Sequence, residues 1–396
     1  MKARWFAVLS ALLLTHAAWA AAPAGEDMAA RLKTLRSEIL SAHGPAQPVI
    51  PSPENNPQSA DKIKLGEALY FDPNLSSCAT IACASCHIPE KGFADGQQIS
   101  DGCNGAIGRR NSNTVYHTAF ASHFFWDGRV QSLEQQALGP VVDPAEMANT
   151  WDRVLEYLKT GKHPVTKKEF AAAKAYYDRY FKLVFGGIIT TTTVTKAIAA
   201  YERTIAAFDA PYDRWLLGDD RALTEAQKKG LLAFFKPGVC ADCHTPPNFT
   251  DSDFHNLGVP NAGFEVPEKF AANGEICGGI PKNVDPGRAE VLFLRSSCSD
   301  LGKFRTPTLR YAESSGPYMH NGVFNSLEKA MAHMAKLALG NVTPMAGVLD
   351  PLVVQGTFRF AKDGNPDEIK AMVDFLKALS GKPFNSPAGG IAPPKL

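Results

Sequence analysis

The sequence is short of net charge, of long apolar runs and of strand signals. Its 41 Lys and Arg residues offset 40 Asp and Glu, leaving a formal net charge of +1. That balance gives no electrostatic reason to expect nucleic acid or an anionic membrane as partner. After the N-terminal segment no stretch approaches the ~20 apolar residues of a membrane helix, so a span in the mature chain is excluded. Alternating apolar and polar residues bounded by turn signals are scarce. What remains is a mainly α protein with long loops, and 396 residues are enough for two or three domains.

The chain opens MKARWFAVLSALLLTHAAWAAAPAG. Lys2 and Arg4 form a basic start, Phe6 to Trp19 an apolar run, and Ala18-Trp19-Ala20 a small-x-small cleavage site. The run is short for an anchor helix, so residues 1–20 read as a cleaved export signal and Ala21 as the mature N-terminus.

Residues 21–60 are polar and Pro-rich and read as a lead-in. The stretch DKIKLGEALYFDPNLS is helix-like and runs into Cys83-Ala-Ser-Cys86-His87. TEAQKKGLLAFFKPGV does the same before Cys240-Ala-Asp-Cys243-His244, with Thr224 and Gln227 spaced as a capping box. Helix, turn and C-x-x-C-H therefore occur twice. This weak internal repeat predicts two cytochrome c-like haem domains, 61–210 and 211–396. Residues 166–209 read as strongly helical, with Val194, Ile198, Tyr201, Ile205 and Phe208 at helical spacing. Residues 366–380 read as a closing amphipathic helix with Pro366 near its start.

A covalent c-type haem needs two thiols for its vinyl groups and an adjacent imidazole for its iron, and C-x-x-C-H supplies all three. A zinc site would need further ligands at matching spacing, and a redox C-x-x-C needs no following histidine. Two copies therefore predict two haems, on Cys83 and Cys86 and on Cys240 and Cys243, with His87 and His244 as iron ligands. Haem attachment and disulfides both point to the bacterial periplasm.

The segments IACASCHIPEKGFADG, RRNSNTVYHTAF, FFWDGRVQSLEQQALGPVVDPAEM, CADCHTPPNFTDSDFHNLG and FRTPTLRYAESSGPYMHNGVFNSLEKAM resemble the bacterial di-haem cytochrome c peroxidases. MauG-type maturases belong to the same superfamily. The resemblance runs in order from about residue 60 to 340. It implies a peroxide-reactive N-terminal haem and an electron-transferring C-terminal one. It implies Glu146 as catalytic carboxylate and Gln136 as a pocket amide. Peroxide cleavage needs a proton moved from one oxygen to the other, which a carboxylate held above the iron can do. Trp126 matches a tryptophan between the haems, and Met334 the sixth ligand of the second haem. Met331 reads as core and His333 as the rival ligand. A calcium ion between the domains is implied, with Asn111, Ser315 and Pro317 at its ligand positions. His255 and His320 match histidines near the second haem, where we expect hydrogen-bonding roles. His117, His123 and His163 read as partly exposed non-ligands.

The sequence departs from this pattern at Cys103, which stands where typical peroxidases carry a histidine capping the first iron. Besides the haem cysteines, Cys78, Cys103, Cys277 and Cys298 remain, and four cysteines allow three pairings. The sequential one, Cys78–Cys103 with Cys277–Cys298, is the expectation, each link contributing about 3–4 kcal/mol. The alternative is Cys103 as a thiolate iron ligand. The expected function is reduction of H2O2 with electrons from a cytochrome c or cupredoxin. Met334 favours it over a maturase oxidising a partner protein, Cys103 favours the maturase, and Glu146 argues against a non-enzymatic electron carrier. The oligomeric state stays open, a homodimer included.

Overall fold

The computed structural model describes residues 27–236, 240–261, 284–291, 298–338, 341–342, 344, 348–350 and 366–384. The expected export signal and the expected Cys277–Cys298 link lie outside the described residues. No helix among them is long and apolar enough to cross a membrane.

The longer helices are α1 (Met28–His43), α2 (Ala60–Tyr70), α3 (Trp151–Thr160), α4 (Ala171–Phe185), α5 (Thr191–Glu202), α6 (Pro211–Leu216), α7 (Glu225–Phe234), α8 (Leu327–Ala338) and α9 (Pro366–Lys377). Local chemistry sets their starts. Ser59 caps α2 by accepting from Lys62 N, and Pro211 opens α6. At α7 the Thr224 hydroxyl accepts from Gln227 N (3.2 Å) while the Gln227 side chain accepts from Thr224 N (2.9 Å). Two two-residue strands, β1 (Phe254–His255) and β2 (Phe304–Arg305), pair antiparallel with Phe254 opposite Arg305.

The expected helix through Phe208 stops at Glu202 instead. Ile205 keeps its apolar role and is fully buried. Its carbonyl, however, accepts from the loop amide of His117 (2.9 Å), which draws the backbone out of the helical path.

Two apolar cores result. One is built by α2, α3, α4 and α5 around Leu65, Tyr70, Phe181 and Ile198. The other joins α6, α7, α8 and α9 around Trp215, Phe234, Phe249 and Phe375. The lead-in helix α1 belongs to this second core through Leu32, Leu35 and Ile39, each side chain stabilising it by roughly 1.5–3 kcal/mol. Phe384, near the other end of the chain, packs against the first core.

A glycine allows the central helix crossing in each core. A Cβ on Gly66 of α2 would stand 1.9 Å from the Ala197 carbonyl oxygen of α5 and 2.9 Å from Tyr201 Cβ. A Cβ on Gly230 of α7 would stand 1.9 Å from the Ala371 oxygen of α9 and 2.8 Å from Phe375 Cβ. The same device, glycine against a small residue and an aromatic one turn later, therefore appears in both halves. Each crossing lies directly upstream of a C-x-x-C-H turn.

Candidate functional site

Two cavities of similar size, about 240 and 220 Å³, open on the two C-x-x-C-H turns. The first is lined by Cys86 and His87, the second by Cys240, Cys243 and His244. In the first, Cys83–Cys86 form one helical turn that Ser85 steadies by accepting from Ala82 N (2.9 Å). His87 N then donates to Cys83 O (3.0 Å), turning the imidazole back over the cysteines. Its Nδ1 lies 3.1 Å from the Phe93 carbonyl, and His244 Nδ1 lies 2.9 Å from that of Phe249. Nδ1–H donating to a carbonyl leaves the Nε2 lone pair free for a metal. Burial lowers both imidazole pKa values and favours the neutral form that ligation requires. Phe93 and Phe249 are fully buried and both have φ +55°. Each strained position costs of order 1 kcal/mol or more. Sequence reasoning missed this pair, although HIPEKGF and HTPPNF share the signal: histidine, proline two residues on, then phenylalanine.

The first cavity also holds buried polar atoms with no protein partner. They are both ring nitrogens of His117, Asn248 Oδ1 and Glu202 Oε2. Burial pushes the Glu202 carboxyl up to about 8, so at neutral pH it can donate a hydrogen bond. Together with the thiols and His87, this donor set fits a haem, whose two carboxylates need polar partners.

Gln136 and Glu146 line the same cavity. Gln136 ends a short turn, Leu133–Gln136, capped by Ser132. Glu146 follows a turn fastened by Asp143, whose side chain accepts from Ala145 N (2.8 Å) and whose carbonyl accepts from Glu146 N (3.0 Å). Burial, aided by Asp143 and opposed by Arg129 and Arg109, pushes the Glu146 carboxyl up to about 7. A disulfide joins Cys78 to Cys103, so neither sulfur is a free thiolate. No methionine among the described residues lines this cavity.

The second cavity differs. Met331 and Met334, one turn apart on α8, both line it. His333 does not; its Nε2 donates to Leu257 O (2.9 Å), which removes the rival ligand. His255 is bridged by two carboxylates, Nδ1 to Asp350 (2.7 Å) and Nε2 to Asp251 (3.0 Å). Although burial opposes it, these partners push its pKa up to about 12 and keep it an imidazolium. His320 stacks face to face on Phe304, centroids 3.6 Å apart, and burial lowers its pKa to about 4.

Trp126 lines both cavities, as do Asn111 and Arg305. The indole Nε1–H donates to Asn111 O (2.9 Å), and the Trp126 carbonyl accepts from Arg305 N (2.8 Å). Beside it, Arg110 pairs with Asp127 (2.6 Å), with Asp285 through two bonds of 2.7 Å, and with Glu290 (2.9 Å). This buried network ties the two halves of the chain at the shared wall; losing one partner of such a pair typically costs about 3–5 kcal/mol. Arg110 and Arg305 stand in the segments RRNSNTVYHTAF and FRTPTLRY, but nothing in those segments marked them out as parts of the shared wall. Asn111, Ser315 and Pro317 all line the second cavity. His123 is partly exposed as expected, but His117 and His163 are not. His163 is fully buried, its Nε2 bonded to Ser76 O (2.9 Å), and His117 sits on the first cavity wall.

Residues 60–221 match the di-haem cytochrome c peroxidase family. The chain is 34% identical over 365 residues to cytochrome-c peroxidase IdrP1 of Pseudomonas sp. (strain SCT), covering 88% of each chain. It is 34% identical over 289 residues to methylamine utilization protein MauG of Methylorubrum extorquens, covering 72% of each. Among solved structures, it resembles a MauG-like protein associated with microbial copper homeostasis. That match has a TM-score of 0.68 and 26% identity, and covers 87% of this chain and 96% of the other.

Proposed function

Because the chain belongs to the di-haem cytochrome c peroxidase family, we propose that it reduces H2O2 to water with electrons from a cytochrome c or cupredoxin in the periplasm. The balance is H2O2 plus two electrons and two protons to two water molecules. The asymmetry of the two cavities carries the reading: a carboxyl tuned to about 7 in the first, two thioethers in the second. Cys83, Cys86 and His87 would hold the haem at which peroxide is reduced, and Cys240, Cys243 and His244 the haem that would take electrons from the donor.

Glu146 accepts the proton of the near peroxide oxygen and returns it to the far one, which leaves as water. A pKa of about 7 suits both halves of that task at neutral pH. Gln136 orients the peroxide through its amide. Trp126, touching both cavities, is the electron bridge between them. Met334, on the wall of the second cavity, would be the side-chain ligand of the second haem iron, where a thioether would raise its potential. Calcium, if bound, uses Asn111, Ser315 and Pro317; Asn111 Nδ2 already donates to Gln97 O and Gln98 O, which leaves Oδ1 as the ligand atom.

One observation favours a second reading, in which peroxide is used to oxidise residues of a partner protein. The disulfide engages Cys103, at the position of the usual capping histidine, so Cys103 offers no ligand that would have to leave the first iron. Steady-state H2O2 turnover with reduced cytochrome c separates the two. Turnover supports the peroxidase; none, together with peroxide reactivity of the oxidised protein, supports the maturase. Electron paramagnetic resonance of the oxidised protein should show one low-spin and one high-spin haem. Two low-spin signals would show that another residue caps the iron.

A further inference from the structure

The Cys78–Cys103 link does more in this fold than close a loop. The backbone on each side of it grips the segment that carries Glu146. From the Cys103 side, Cys103 N donates to the Glu146 carbonyl (2.8 Å). Gly102 presses so closely that a Cβ there would stand 2.1 Å from Ala145 O and 3.0 Å from Glu146 O. From the Cys78 side, Ser77 N donates to the Met147 carbonyl (2.9 Å) and Asn149 Nδ2 donates to Leu75 O (2.9 Å). The Cys78 side is itself anchored, since His163 bonds Ser76 O and buried Asp72 accepts from Tyr157 (3.0 Å) and Tyr177 (2.6 Å). Residues 145–147 thus lie between two loops that meet through one covalent bond. Cys103 is buried, and the link spans a sequence separation of 25 that includes Cys83, Cys86 and His87.

We propose that the Cys78–Cys103 disulfide is a positioning cross-link for Glu146, holding its backbone so that the carboxyl stays within the first cavity. The inference rests on the reading of Glu146 as the proton carrier. Without the link the Cys103 loop has no covalent tie to the Cys78 loop, and the clasp on residues 145–147 opens from one side. The two bonded sulfurs take no part in the chemistry; they act through Glu146 alone.

The test is a double-mutant cycle on the haem-loaded protein, with Cys78→Ala/Cys103→Ala made in the native and in the Glu146→Gln background. The rate constant for reaction with H2O2 is followed by stopped flow, with haem content and kcat/KM for reduced cytochrome c as controls. The disulfide variant should lose on the order of 10²-fold in peroxide reactivity, since misplacement by about 1 Å costs that much. Its kcat/KM for the donor, which reports on the other haem, should not move. In the Glu146→Gln background the same change should cost less than about twofold, because the group it positions is already gone. Equal losses in both backgrounds would overturn the proposal and make the link a general stabiliser. Gly102→Ala is the second variant. It leaves the disulfide intact but drives a Cβ against Ala145 O, and it should show the same loss and the same dependence on Glu146. If the double-alanine protein fails to load haem, Gly102→Ala decides by that criterion. A Glu146→Gln effect below about tenfold would instead overturn the role of Glu146 itself, and with it the cross-link's purpose.

Discussion

The pH dependence of the peroxide reaction is the most direct consequence of how Glu146 is housed. Burial raises its carboxyl to about 7, against an ordinary value near 4.5. Asp143 adds to the rise, and Arg129 and Arg109 oppose it. The opposition is weakened because both arginines have other partners: Arg129 pairs with Asp127 (2.9 Å) and Arg109 with Glu290 (2.9 Å). On the proposed role of Glu146 as proton acceptor the ionised carboxylate is the active form, so activity should be present above the folded pKa and lost as pH falls through it. About half of the molecules carry the carboxylate at pH 7 and about 1% at pH 5. The stopped-flow rate constant with H2O2 should therefore be flat above about pH 8 and fall about tenfold per unit below pH 6. Glu146→Gln should lower the plateau by roughly 10²- to 10⁴-fold and abolish the acid limb. Asp143→Asn should move that limb to lower pH, since it removes a charge that raises the pKa. A native rate constant independent of pH between 5 and 8, or an acid limb that survives in Glu146→Gln, would refute the reasoning.

Three further outcomes are expected. Met334→Ala should lower the potential of the His244 haem in a redox titration while peroxide still reacts at the other haem, whereas Met331→Ala should shift neither potential. Trp126→Phe should slow electron transfer between the haems, measured after rapid mixing of half-reduced protein with peroxide, with both haems retained. Gly230→Ala should lower the thermal midpoint, because its Cβ would meet the Ala371 carbonyl at 1.9 Å. Overpacking of this kind costs about 1–3 kcal/mol, and an unchanged midpoint would show that α7 and α9 can separate without penalty.

The chemistry of attachment was legible in the sequence because it is local. Two thiols and an imidazole within one turn, occurring twice, predicted covalent haem from local residues alone, and the capping box of α7 needs only residues 224 and 227. The H-x-P…F repeat that sets the histidine tautomers was equally present, though it takes the structure to show why a phenylalanine carbonyl is wanted there. Other features depend on residues far apart in the chain, which no local pattern joins. Met334 and His333 are neighbours on one helix. Only the direction of α8 and the Leu257 carbonyl send the thioether to the cavity and the imidazole away from it. Trp126 becomes a shared wall because Asn111 and Arg305 hold it from the two halves of the chain. His117 and His163 looked like surface residues and are buried, one on a cavity wall and one beneath Ser76. Glu146 carries no mark in the sequence of a pKa near 7, since that value comes from burial and from the competing partners of Arg109 and Arg129. Cysteine spacing and helical period are properties of the chain, whereas desolvation and the pairing of distant loops arise only once it has packed.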